Sequence, residues 1–272
     1  MIKKPPIAFA GHKGAWADYI AQKAKNLPEG AKVIDAFGGS GLCARAVIEA
    51  RPDLRVVWND FDGYLIRLDH AQETEILRQT LQSICGERKK NHVVHARSRD
   101  VDPLTPEQKD AVKNALRRHA LNFGYVDDYL AASYLHRHSG FERRGALDPN
   151  RKWVNHIAHS PVRVDLAREH ARILRPACAC FDIAAHEPTD AYYILDPPYE
   201  RTNNNYYKGK DAVGVFPAIE RICRKARGVM LFCASHELEK FAPLVPDGEL
   251  ELAKRGNAFM GHSVFEACLC NW

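Results

Sequence analysis

The sequence predicts an α/β fold, and three observations carry that expectation. Short apolar runs suited to buried strands alternate with stretches of helical periodicity. One of those runs opens directly into a glycine turn followed by a helix. Several end on an acid, at Asp35, Asp60, Asp182 and Asp196. Acids at the carboxyl ends of strands stand where open α/β sheets take their ligands.

Length and composition set the frame. A chain of 272 residues can bury a full core, either as one large domain or as a domain carrying an insertion. Its 46% hydrophobic and 27% charged residues are ordinary for a globular protein. Met1-Ile2-Lys3-Lys4-Pro5-Pro6 leads into no apolar signal segment, and no run approaches the length of a membrane span. A cytoplasmic protein without membrane contact is expected. Cys178 and Cys180, like Cys268 and Cys270, alternate within apolar strand-like runs. That pattern predicts buried thiols on one strand face, because the two-residue gap of zinc knuckles is missing. Neither a disulfide nor a metal is expected.

In chain order, Phe9-Ala10-Gly11-His12-Lys13-Gly14 is a glycine-punctuated loop, after which Trp16, Tyr19, Ile20, Ala24 and Leu27 recur at helical spacing. Lys13 stands near a helix start, an unfavourable place for a cation, so it is either a surface lysine or the partner of an anion. Residues 33–37 form a strand that runs into Gly38-Gly39-Ser40-Gly41, and a helix continues from Leu42. Glycines there let the backbone approach a ligand while the helix start offers free N–H groups. No lysine follows them, which excludes a phosphate-binding P-loop. The spacing of Gly39, Gly41 and Ala44 does fit a dinucleotide fingerprint, so NAD competes at this point. A second strand over 54–58 ends at Asn59-Asp60-Phe61-Asp62, and Asp60, about twenty residues past the glycine turn, takes the place of a ribose-binding acid.

Residues 64–85 keep one helical periodicity, and then the composition changes. From Gly86 to Arg175 there are 18 Lys and Arg against 11 Asp and Glu, a balance of +7 where the whole chain has +5. The basicity is concentrated in this segment. Arg117, Arg118, Arg137, Arg143 and Arg144 alternate with Phe123, Tyr125, Tyr129, Tyr134 and Phe141. The mixture suits phosphate neutralisation and base contacts, although for any single residue a solvated helical face over a small aromatic core is the preferred reading. Residues 164–174 are helical, and the alternation over 178–182 marks a third strand. Tyr192–Leu195 is another strand, stopped by Pro197 and Pro198, which cannot donate ladder hydrogen bonds. Asp196, the Pro197 carbonyl and the Tyr199 ring are thereby held in a nearly rigid turn suited to a planar base with an exocyclic amine. The plainer alternative is a strand end with Tyr199 packed on the surface. An asparagine-rich loop with Asn203, Asn204 and Tyr206 follows; residues 216–227 are helical, and runs over 228–233, 250–252 and 264–269 close the sheet.

Together these pieces resemble the Dam-like DNA adenine-N6 methyltransferases of bacteria and their phages, which use S-adenosylmethionine. Ala10-Gly11-His12-Lys13 is similar to that family's amino-terminal glycine-lysine motif, with His12 where the family has a second glycine. Asp35-Ala36-Phe37-Gly38-Gly39-Ser40-Gly41 is similar to its cofactor loop, Asn59-Asp60 to its ribose-binding acid, and Asp196-Pro197-Pro198-Tyr199 to its catalytic motif, all in the family's order. The resemblance implies a Rossmann-like class I methyltransferase sheet. Residues 1–69 and 165–272 are then an S-adenosylmethionine-binding catalytic domain, and 70–164 a mostly helical target-recognition insertion that binds double-stranded DNA. It implies roles as well. Phe9 and Lys13 border the cofactor, Asp35 and the turn from Phe37 through Gly38, Gly39, Ser40 and Gly41 pass its methionine part, Asp60 and Phe61 hold the ribose, and Asp182 contacts the cofactor's adenine. Arg117, Arg118, Arg137, Arg143, Arg144, Asn203, Asn204 and Tyr206 are the nucleic-acid-binding candidates. The implied setting is the bacterial or phage-infected cytoplasm, with restriction-modification among its contexts, and a monomer is compatible with it.

An adenine amine is a poor nucleophile because its lone pair is delocalised into the ring. Hydrogen bonds from its two N–H groups to the Asp196 carboxylate and the Pro197 carbonyl let the nitrogen pyramidalise and aim that pair at a sulfonium methyl. The base must first leave the duplex, and Tyr199 can stack on it once flipped. Methylation of RNA or of a protein amide uses a related turn and stays open. A dehydrogenase gives Asp196 no role, and a non-catalytic DNA-binding module leaves the strand-end acids idle.

Overall fold

The computed structural model describes residues 2–9, 11–85, 104–135, 161–198, 214–254 and 265–272. Its strands are β1 (Lys32–Asp35), β2 (Arg55–Asn59), β3 (Cys178–Ala179), β4 (Tyr192–Leu195), β5 (Gly228–Ala234), β6 (Glu249–Lys254) and β7 (Phe265–Cys270). They form one sheet in the order β3-β2-β1-β4-β5-β7-β6. All pairs from β3 to β5 are parallel, and β7 runs antiparallel between β5 and β6. This is the sheet of a Rossmann-like methyltransferase fold.

Side-chain alternation decides what covers each face. Ile194, Met230 and Phe232 face one way and pack with Val33, Trp16, Ile20 and Ala24, where α1 (Ala17–Ala24) and α2 (Leu42–Ala50) lie. Tyr193, Leu195, Val229 and Leu231 face the other and pack with Ile219, Ile222 and Phe241 from α8 (Val215–Lys225) and α9 (Leu238–Phe241). The central strands are buried on both faces, which is why they read as continuous apolar runs.

Three sequence expectations need correction. The single periodicity over 64–85 divides into α3 (Tyr64–Asp69) and α4 (Ala71–Cys85), with His70 between them at φ −99° and ψ 27°. The residues bury in different places: Tyr64 and Leu68 of α3, with Ala71 at the start of α4, join Trp58 and Leu174, whereas Leu77, Leu81 and Cys85 further along α4 join Val112 and Leu130. The third strand is only two residues long and sits at the sheet's edge beside β2 alone. In consequence Cys178 and Cys180 are exposed, while Cys268 and Cys270 on β7, flanked by strands on both sides, are buried.

The segment that the resemblance marks as an insertion is helical where it is described. α5 (Pro106–Phe123) begins with a reciprocal capping box between Thr105 and Gln108 and ends at Gly124, whose φ of +64° suits glycine. α6 (Asp128–Leu135) follows, and Leu104, Val112, Leu130 and Ala131 share a separate small core with α4. α7 (Val164–Leu174) returns the chain to the sheet, packing Ala167, Ala171 and Leu174 against Trp58 and Tyr64. Among the described residues no helix is long and apolar enough to cross a membrane.

Candidate active site

The strand order reverses between β1 and β4, and a parallel sheet opens a crevice beyond the carboxyl ends of such a pair. Asp35 ends β1 and Asp196 follows β4. A cleft opens there. It is lined by Phe9, Gly11, His12 and Lys13 from the amino-terminal loop, by Asp35, Phe37, Gly38, Gly39 and Ser40 after β1, by Leu42 and Cys43 at the start of α2, and by Asp196. Three motifs far apart in the chain therefore share one cavity. Tyr199, the last residue of the fourth motif, lies outside the described residues, as does Ala10.

The glycine turn is shaped by close packing. Gly39 and Gly41 take φ of +49° and +72°, a region that side chains rarely occupy. A Cβ at Gly38 would lie 2.4 Å from the Trp58 indole, and one at Gly41 would lie 2.3 Å from Leu174 Cδ1. The turn is thus pressed onto β2 and α7, with its backbone facing the cleft. His170, buried on α7, fixes it from beneath: Nε2 is 2.8 Å from the Ser40 carbonyl and Nδ1 is 3.3 Å from Arg45 Nη1. A guanidinium can only donate, so Nδ1 accepts and Nε2–H donates to Ser40. Burial pulls the His170 pKa down to about 4, with the Arg45 charge adding to it and the Ser40 carbonyl opposing it. A neutral ring is what holds the turn.

Lys13 answers the choice posed by the sequence, since it partners an anion. Its Nζ lies 2.5 Å from Asp196 Oδ2, with side-chain exposures of 3% and 16%. Nζ also donates to the Gly11 carbonyl at 3.2 Å and lies 3.3 Å from Glu266 Oε1 on β7. The other oxygen of Glu266 accepts from Trp16 Nε1 at 2.6 Å. Asp35 is buried behind this group, accepting from the Ala44 N–H at 3.2 Å. Burial pushes its pKa up to about 7, the Asp196 charge pushes the same way, and the Ala44 N–H and Lys13 resist. His12 Nδ1 accepts the Gly14 N–H at 3.2 Å within the loop.

The acids on the other half of the sheet edge are used differently. Both oxygens of Asp60 accept backbone N–H groups at the start of α3, from Tyr64 at 2.6 Å and Leu65 at 2.8 Å. Phe61 is half-buried in the turn between them. Asp182 is exposed and accepts the Ala184 N–H at 2.9 Å, an Asx turn. Neither acid lines the cleft with Lys13. Asn59 joins the strand ends: its Nδ2 donates to the Ala36 and Phe181 carbonyls at 2.8 and 3.0 Å, and its Oδ1 accepts the Phe181 N–H at 2.9 Å.

Of the nucleic-acid-binding candidates, Arg117 and Arg118 are exposed on α5, near Leu121, which is 85% exposed. Arg137, Arg143, Arg144, Asn203, Asn204 and Tyr206 lie outside the described residues. A contact between the helical segment and the cleft escaped the sequence reading. Phe9 stacks on Tyr129 of α6 with centroids 6.2 Å apart, and Arg67 lies 4.4 Å above the same Tyr129 ring while donating to Asp127 at 3.0 Å and to the Ala8 carbonyl at 3.2 Å.

The residues present fit a sulfonium cofactor. The glycine turn lets the backbone approach a ligand closely, and the acids Asp35, Asp196 and Glu266 grouped around Lys13 favour a cationic guest when ionised. No family model matches the chain. Over 84 residues it is 34% identical to a Haemophilus influenzae protein described as "Putative methyltransferase". That likeness takes in 29% of this chain and 28% of the relative, so the chain spans little more than a quarter of the curated protein it matches.

Proposed function

We propose that the protein is an S-adenosylmethionine-dependent DNA methyltransferase acting on the N6 amine of adenine. The observation that carries the reading is the shared cleft: the glycine turn after β1 and Asp196 after β4 line one cavity at the sheet's reversal point. A dehydrogenase would use the turn and leave Asp196 idle. The likeness to a protein described as a methyltransferase supports the same choice.

Bound in the cleft, S-adenosylmethionine would supply the methyl group, its sulfur keeping the electron pair of the bond given up. The chain's own residues do the rest. Phe9, Lys13, Asp35 and the turn from Phe37 to Gly41 hold the cofactor, with Asp60, Phe61 and Asp182 further along the sheet edge for its nucleoside. The Asp196 carboxylate and the Pro197 carbonyl accept the two N–H groups of the amine, so that the lone pair turns toward the methyl carbon. The surplus proton that the amine carries after transfer passes to Asp196 and then to solvent. Tyr199 stacks on the flipped base. The segment 70–164 grips double-stranded DNA, where Arg117 and Arg118 neutralise phosphates beside the protruding Leu121.

The test is transfer of labelled methyl from S-adenosylmethionine to duplex DNA, RNA and protein in parallel. Label in N6-methyladenine of DNA is expected, and its loss in Asp196→Ala with donor binding retained. Label confined to RNA or to protein glutamine would assign the same cleft to another acceptor, and NAD binding without methyl transfer would overturn the reading.

A further inference from the structure

The cleft's lysine is divided between two carboxylates, and only one belongs to the motif that holds the amine. Lys13 Nζ stands 2.5 Å from Asp196 and 3.3 Å from Glu266. Glu266 comes from β7, opposite Ala234 at the end of β5, and its second oxygen is pinned by the Trp16 indole at 2.6 Å. A carboxylate buried near the start of an apolar strand is costly unless a cation and a donor meet it, and here both do.

We infer that Glu266 is a positioning residue: it is the second station of the Lys13 ammonium, which shifts from Asp196 toward Glu266 when the substrate amine takes its place on Asp196. The inference rests on the methyltransferase reading of this cleft. Asp196 must accept an N–H and later a proton, and a lysine held at 2.5 Å competes for the same oxygen and weakens it as a proton acceptor. A fixed anion on the far side of the ammonium relieves that competition. Trp16 keeps the anion from following Lys13 into the cleft.

The variant Glu266→Gln removes the charge and keeps the shape. Lys13 then stays on Asp196, so the single-turnover rate of methyl transfer to duplex DNA falls about tenfold or more, while donor affinity changes far less. The acid limb of the rate profile moves to lower pH, because Asp196 has lost a nearby negative charge and kept a positive one. The other titratable groups around this cluster are His12 from the loop, Asp35 on β1, Cys43 on α2 and Cys268 on β7, with Cys233, near Glu237, on the other face of the sheet. The thiols are raised by burial and stay neutral in this range, and the comparison is repeated in an Asp35→Asn background because Asp35 titrates near 7. Glu266→Asp, which keeps the charge, retains the position of the limb. A rate and limb equal to the unsubstituted protein's, or a lower rate with an unmoved limb, overturns the inference.

A second readout needs no turnover and stands even where Glu266→Gln does not fold. In Asp196→Asn the lysine loses its nearer carboxylate and keeps Glu266, so the indole N–H resonance of Trp16, assigned by its loss in Trp16→Phe, moves relative to that of Trp58; an unmoved resonance overturns the shared-lysine arrangement. If the unsubstituted protein methylates no acceptor while this resonance still moves, the methyltransferase reading fails and the lysine sharing stands.

Discussion

The two halves of the sheet's carboxyl edge begin from the same local signal and end in different chemistry. Around β1 and β4, Asp35 and Asp196 converge with Lys13 in a cleft. Around β2 and β3, Asp60 and Asp182 accept backbone N–H groups and shape turns. An apolar run ending on an acid is therefore only half of a site. What separates the halves is what crosses over the strand ends: the amino-terminal loop brings a cation to β4, whereas the start of α3 brings N–H groups to β2. The difference also sets the electrostatic cost of each acid. Asp60 is stabilised by a helix start, and Asp35 is strained by burial and by the neighbouring Asp196 charge.

Substitutions along the edge can sharpen or break this contrast. The largest effect is expected at Asp196, where Asp196→Ala lowers methyl transfer about a thousandfold while donor binding, measured by calorimetry, changes little. Next comes Asp35. Its carboxyl is raised from 3.8 to about 7 in the folded protein, so the native state binds this proton more tightly than the unfolded chain does. Stability is therefore lost as pH rises through that window, in total by about 4 kcal/mol. Asp35→Asn removes the loss, and its gain in unfolding temperature over the unsubstituted protein grows from pH 4 to pH 8. Equal differences at both ends would show that Asp35 is not strained. The same carboxyl makes donor binding weaken below about pH 7, as the anion that favours a cationic guest is neutralised, and Asp35→Asn flattens that dependence.

His170→Ala leaves the Ser40 carbonyl without its donor and opens a buried space, costing about 2–3 kcal/mol in chemical denaturation. In the unsubstituted protein the depressed His170 pKa means that stability present above about 6.5 declines as pH falls toward 4, and that share of the acid sensitivity disappears in the variant. Asp60→Ala strips two N–H groups of their acceptor at α3 and costs about 1–2 kcal/mol. Asp182→Ala, at an exposed turn, changes stability by no more than about 0.5 kcal/mol. A cost at Asp182 equal to that at Asp60 would erase the distinction drawn within the outer half.

Legibility in the sequence followed the range of the forces involved. Tyr192–Leu195 and Val164–Leu174 were readable to the residue because β4 is buried on both faces and α7 on one stripe, so local pattern and environment agree. The run over 178–182 misled because alternation of residue types records composition and not neighbours, and an edge strand with one partner leaves its thiols in solvent. The lysine and the strand-end acids could be nominated from motifs. Glu266 and His170 could not, since each acts through contacts more than a hundred residues away in sequence. A signal for Glu266 existed all the same: an acid between Phe265 and Ala267 in an apolar strand requires a partner. For His170, one polar residue on an amphipathic helix, no comparable signal stands out.

Single-molecule sequencing of unmodified genomic DNA incubated with S-adenosylmethionine and either the unsubstituted protein or Asp196→Ala tests the central claim most directly. N6-methyladenine at a defined sequence with the first and at background with the second is the predicted result. Equal methylation by both, or none by the unsubstituted protein while it binds the donor, would contradict it.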